Sequence, residues 1–249
     1  MTATILAYAF VVGQPVSFDV NVQFQGWIPI FGGREGKATV NMTVVATAVK
    51  TDEIESFIPK IDAEAFGVQL PLNSSNVDQF FPKAVATIDT FGSVKSNTAP
   101  AIKMPAKLPG LDSQRLPEIS FLPLELPKTQ IKPGETYPFV KTYGGQEFKY
   151  VVTLASETPT EADFSIKLTS VRDGFEDAYG NPIDSKKGAK KTLHAELNGT
   201  GKAKFSKTSG CFDLVEVETN ETTTTEPLNG GATATKKLKT LLKIKRKTS

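Results

Sequence analysis

Lys37-Ala38-Thr39-Val40-Asn41-Met42-Thr43-Val44-Val45-Ala46-Thr47-Ala48-Val49-Lys50 is the stretch that decides the fold. Val40, Met42, Val44, Ala46 and Ala48 occupy every second position, with Thr39, Asn41, Thr43 and Thr47 between them. A period of two over that length predicts a long strand with one buried face. The pattern returns at Phe148, Tyr150, Val152 and Leu154, at Phe164, Ile166 and Leu168, and at Leu193, Ala195 and Leu197. Asn198-Gly199, Ser209-Gly210 and Asn229-Gly230-Gly231 read as turns between such runs. Close spacing and alternation predict antiparallel meanders, with no βαβ units. Helix signals are sparse. Thr51 to Glu55 offers a cap and first-turn acids before Pro59, and Asn76 to Phe81 offers one turn before Pro82. The expected class is all-β with a few short helices.

Working outward, the chain repeats itself. Gly13-Gln14-Pro15-Val16-Ser17-Phe18 returns as Gly134-Glu135-Thr136-Tyr137-Pro138-Phe139. Gly32-Gly33-Arg34-Glu35 returns as Gly144-Gly145-Gln146-Glu147, and Thr90 to Val94 is echoed by Thr208 to Phe212. The offsets, 121, 112 and 118 residues, are each about half of 249. Self-similarity at such a period predicts two related meander units, here residues 1–99 and 131–249. Between them, residues 100–130 hold a proline-rich stretch that suits neither a central strand nor a helix. Its Leu108, Leu111, Leu116, Ile119, Phe121, Leu122, Leu124 and Leu126 predict a crossover packed on the body rather than a free tether. The two units are expected to build an open curved sheet or half-barrel.

Composition narrows the class further. The length suits one large β domain or two ordinary ones. A single cysteine, Cys211, rules out an intrachain disulfide. No apolar run approaches the ~20 residues of a membrane-spanning helix. The apolar start, Met1 to Val12, lacks a basic region and ends in Gly13-Gln14, so it is expected to be a first strand rather than a signal peptide. The net charge of +2 hides an acidic body and a tail, Lys236 to Lys247, that carries seven Lys or Arg and no acid. As a strand, that tail puts Leu238, Thr240, Leu242 and Ile244 on one face. The lysines on the other face suit an exposed last strand guarded against edge pairing. A contact with an anionic surface is the alternative. Without stacking aromatics, nucleic acid is not an expected partner.

Candidates for chemistry are few. His194 sits on the polar face of a strand beside Glu196, and no nucleophile accompanies it. Cys211 has no adjacent base to activate it. No phosphate-binding glycine loop is present. Asp173, Glu176, Asp177, Asn181 and Asp184 form the densest oxygen-rich stretch, a weak calcium candidate whose spacing matches no EF-hand loop. No metal or cofactor is expected. The first unit carries nine more residues between its glycine motifs than the second. This extra length holds Trp27, Ile28, Ile30 and Phe31. An apolar cluster in a hairpin is expected to contact a ligand or partner, or else to plug the core.

The alternating strands, the G-[QE]-x-[VY]-x-F motif of Gly13 to Phe18 and Gly134 to Phe139, and the hairpin around Gly210 resemble β-rich bacterial envelope proteins. In style they are similar to the lipoprotein-localisation-factor group, whose open half-barrels shelter acyl chains. The resemblance implies a non-enzymatic protein of the periplasm or cell envelope that binds a lipid or other apolar small molecule in a curved sheet. The chain lacks that group's signal peptide and lipobox cysteine, which leaves a cytoplasmic location as the alternative. The competing expectation is a structural or assembly protein using its strands and apolar hairpin for protein contacts.

Overall fold

The computed structural model describes residues 3–29, 33–99, 116–143, 145–178, 182–183 and 185–247. The first half contributes β1 (Pro15–Ile28), β2 (Arg34–Ala48), β3 (Glu53–Ala65), β4 (Val68–Asn73), α1 (Val77–Phe80), β5 (Ala84–Ile88) and β6 (Val94–Asn97). After α2 (Leu116–Phe121) come β7 (Thr136–Tyr143), β8 (Gln146–Glu157), β9 (Glu161–Glu176), β10 (Pro182–Ile183), β11 (Lys191–Ser206), β12 (Cys211–Pro227) and β13 (Ala234–Arg246). They form one antiparallel sheet in the order β6-β5-β3-β2-β1-β13-β12-β11-β9-β8-β7, with β4 on β3 and β10 on β9. The protein is all-β, and its sheet is open, with β6 and β7 as the two ends of that path.

The long alternating runs form strands because each buries one face. Phe18, Val20, Val22 and Phe24 of β1 are buried, as are Phe164, Ile166 and Leu168 of β9. Their neighbours across the sheet keep the same phase: Val20 lies opposite Ile244, and Ile166 opposite Gly201. A one-residue slip would turn every one of these side chains to water, so burial pins the register.

The crossover ties the two open edges together. Asn97 of β6 donates from Nδ2 to Glu118 Oε2 at 3.1 Å, and Lys141 of β7 donates from Nζ to the Leu122 carbonyl at 2.6 Å. Lower down, Tyr137 donates its hydroxyl to the Glu125 carbonyl, while Ser93 donates to Glu125 Oε2 at 2.6 Å. Phe121, Leu122, Leu124 and Leu126 are buried. Apolar burial and side-chain bonding to both end strands are satisfied together.

Four expectations change. Residues 3–12 do not form a strand of the sheet, only bridges from Thr4 to Ile131 and from Val12 to Ala48. They run as a cross-piece, with Tyr8 donating its N–H to the Thr90 carbonyl and Ala9 to the Gly210 carbonyl. Consecutive amides thus hold turns from opposite halves, so the sheet must curl toward this end, called the lower end below. Asn198-Gly199 is not a turn but the middle of β11. A Cβ at Gly199 would lie 2.8 Å from both Leu168 and Thr219, so the glycine answers close packing rather than chain reversal. β13 is no edge strand; it lies between β1 and β12 and joins the halves. Finally, Glu53 to Glu55 begins β3 rather than a helix, and Pro59 is accommodated where the β2–β3 register shifts.

The sequence echoes fall on turns in like positions. Gly13 and Gly134 have φ of +78° and +92° and donate N–H to Ala48 and Leu154 respectively. The next residues, Gln14 and Glu135, donate to Val11 and Lys132. Gly33 and Gly145 fall in the β1–β2 and β7–β8 hairpins, and Gly92 and Gly210 in the β5–β6 and β11–β12 hairpins. The nine extra residues of the first half lengthen its hairpin, whose pairing continues to Ile28 opposite Arg34.

Candidate functional site

The interior of the curled sheet changes character from bottom to top. At the lower end Phe205, Phe212 and Phe164 are buried with Tyr8. Phe205 and Phe212 meet edge-on with centroids 5.1 Å apart, and Tyr8 stands 5.9 Å from each. The Tyr8 hydroxyl donates to the Leu124 carbonyl at 2.7 Å. Burial pushes the Tyr8 hydroxyl well above the ordinary phenol range. Cys211 is buried at the same end, and burial pushes its thiol up to about 12. It is a packed thiol with no nucleophilic character at neutral pH.

Above this layer the packing stops short. A cavity of about 80 Å³ lies between the crossover and the inner face of the sheet. Ile119, Pro123 and Leu124 of the crossover form one wall. Val22, Leu168, Leu197, Val217 and Leu242 form the opposite wall, with Tyr143, Phe148 and Tyr150 at the side. Thr219 and Thr240 are the polar contributors from β12 and β13. Burial pushes the Tyr150 hydroxyl up to about 12. Larger depressions of about 520 and 290 Å³ open on the outer face among Lys202, Glu216, Lys243 and Asp19. Those are open grooves lined by charged side chains; the inner cavity is smaller, but it is apolar and partly enclosed.

Higher still the inner face becomes polar. Arg172 follows Leu168 and Ser170 on β9, and Glu221 follows Val217 and Thr219 on β12. Glu221 is paired with Leu197 and Leu238 across the sheet, and it is 6% exposed. Burial raises its carboxyl above the usual range, against the pull of nearby Arg172 and a hydrogen bond from Thr223. Glu176 behaves differently. It is 2% exposed, yet it accepts from Lys191 at 2.9 Å and Lys236 at 2.7 Å. Burial alone would raise it, but the two ammonium groups outweigh burial and hold it below the usual carboxylate range.

The residues singled out from sequence are scattered. Ile28 is fully buried in the core. Trp27 lies under the Lys236 ammonium, 4.8 Å from the ring centroid. Ile30 and Phe31 lie outside the described residues, as do Asn181 and Asp184. Asp173 and Glu176 point to opposite faces of β9. Asp173 is exposed against His194 Nδ1 at 2.7 Å, whereas Glu176 faces inward to its lysines. Asp177 follows at the end of the strand, and among the described residues no group of three or more His, Cys, Asp or Glu is placed to hold a metal. In the basic tail, Lys239 pairs with Glu218, Lys243 with Glu216, Arg246 with Asp213 and Lys247 with Asp19. These acids of the sheet answer much of the tail's charge.

No protein-family model matches the chain, and no curated protein matches it in sequence. A solved structure of lipovitellin, described for its lipid–protein interactions, is similar over 96% of this chain at 13% identity and a TM-score of 0.54. The similarity spans 26% of the lipovitellin chain, so the likeness concerns one sheet-bearing part of a larger protein. At this identity it shows the fold. An outer membrane channel from Pseudomonas putida F1 aligns over 97% of this chain and 98% of its own at 10% identity, with a TM-score of 0.19, too low to indicate a shared fold.

Proposed function

We propose that this protein is a non-enzymatic binder of a lipid or other apolar small molecule, held between the crossover and the inner face of the sheet. The observation that carries the reading is the unfilled apolar space bounded by Ile119, Pro123, Leu168, Leu197, Val217 and Leu242, directly above a fully packed aromatic layer. A domain that needed only stability would close such a gap, because lost packing is destabilising. The likeness to the lipovitellin sheet supports the same direction. At about 80 Å³ the space is below the ~300–1,000 Å³ of ordinary ligand pockets. An acyl chain therefore enters by displacing Ile119 and Pro123, leaving the strands in place.

The cell envelope is the proposed location, on the resemblance of the strand and turn pattern to envelope lipid carriers. Trp27, Ile28, Ile30 and Phe31 are proposed as ligand or partner contacts. The paired glycine turns support a duplicated unit as its origin. Extraction of lipid from the purified protein, followed by mass spectrometry, tests the binding reading. It predicts stoichiometric amphiphile or recovery of stoichiometry on adding it back. A protein that neither carries nor takes up apolar ligand overturns it.

A further inference from the structure

The lipid-binding reading leaves the polar end of the cavity unexplained. Glu221 Oε2 is buried with no hydrogen-bond partner among the described residues, as are Arg172 Nε and Thr225 Oγ1. Native interiors satisfy buried polar atoms almost without exception. Glu176, at the end of β9, shows that this sheet can do so, since two lysines saturate it.

The three unsatisfied groups are close in the sheet. Arg172 is paired with Ala195, Ala195 with Thr223, and Leu193 with Thr225. Glu221 is paired with Leu197, which lines the cavity, and follows Thr219, which also lines it, by one inward position. An acceptor, a cationic donor and a hydroxyl therefore lie on the inner face immediately above an apolar slot. Arg172 alone would favour a carboxylate or phosphate head. Glu221 beside it opposes a simple anion and calls for a donor.

We propose that this end recognises the polar head of a single-chain amphiphile bearing a hydroxyl or amine donor next to an acceptor. The donor binds Glu221 and the acceptor binds Arg172, while the hydrocarbon lies below among Leu168, Leu197 and Val217. The inference rests on the proposed lipid-binding cavity and names the class of head it takes.

The test uses diphenylhexatriene as a headless fluorescent probe, displaced by mono-oleoylglycerol or by octadecene. In the unaltered protein mono-oleoylglycerol should displace the probe at roughly tenfold lower concentration than octadecene, the worth of one strong hydrogen bond. Glu221→Leu and the shape-preserving Glu221→Gln should each narrow that gap, with each displacement read against the probe affinity of the same variant. A gap that persists in both variants, or that never exists, overturns the head-group inference while the cavity reading stands. Failure of the probe to bind the unaltered protein overturns both.

Discussion

The lower and upper interiors of this sheet are built from the same strands, yet they are finished differently. Below, Phe164, Phe205, Phe212 and Tyr8 fill the space, and the Tyr8 hydroxyl donates to a carbonyl, with Ser209 Oγ in the adjoining turn left without a partner among the described residues. Above, a gap remains under Ile119 and Pro123, and Glu221, Arg172 and Thr225 have buried polar atoms without partners. The contrast separates a region that holds the fold from one held open at a cost in stability. Binding sites commonly carry such a cost.

Substitutions can break or sharpen that division. The largest expected effect is at Phe212, where replacement by alanine removes a ring touching Phe164, Phe205 and Tyr8. Phe212→Ala should destabilise the protein by about 3–5 kcal/mol in urea unfolding. A loss below 1 kcal/mol would mean the lower layer is not the core. Tyr8→Phe removes only the bond to Leu124 and should cost about 1 kcal/mol by the same measurement. No change would show that the cross-piece is not fastened there.

The upper layer should respond with the opposite sign. The folded-state pKa of Glu221 is raised by burial, so the native state holds its proton more tightly than the unfolded chain does. Its contribution to stability therefore falls as pH rises from the unfolded value through the folded one. Glu221→Gln removes that slope. It should stabilise the ligand-free protein by about 1 kcal/mol at neutral pH, with the gain vanishing in acid. A destabilised variant at neutral pH would place Glu221 among the structural groups. The smallest effect belongs to the outer face, where Asp173 and Glu196 raise the pKa of exposed His194. That stabilisation is full below the unfolded value of about 6.5 and is lost as pH rises through the folded one. The melting temperature of His194→Gln should fall slightly below that of the parent in acid and match it in alkali. A deficit that persists in alkali would mean something other than the charge is at work.

Much of the sheet was legible because its strands keep one buried face over ten or so residues, as in Ala38 to Ala48. The placement of β13 was not legible. Its alternating lysines suit an edge, and only the acids of β12 and Asp19, brought alongside by long-range pairing, show why they sit mid-sheet. Asn198-Gly199 has the letters of a turn; the close approach of Leu168 and Thr219 that demands the glycine is a tertiary fact. The cavity residues were legible singly as core, and no pattern marks the spot where the core stops. Glu221 and Arg172 did leave a signal. Each falls in phase with an apolar run, Val215 and Val217 for one, Ile166 and Leu168 for the other. Extending the period of two into the threonine-rich end of β12 would have placed a carboxylate on the inside.

The central claim is that the space beneath the crossover is the binding site, and Val217 lies in its wall. The direct measurement is a fluorescence titration of the protein and its Val217→Phe variant with diphenylhexatriene. The larger ring should fill the gap, so the account predicts at least tenfold weaker binding, on the order of 1.4 kcal/mol, with unfolding stability unchanged or improved. Equal binding by a folded variant would contradict it.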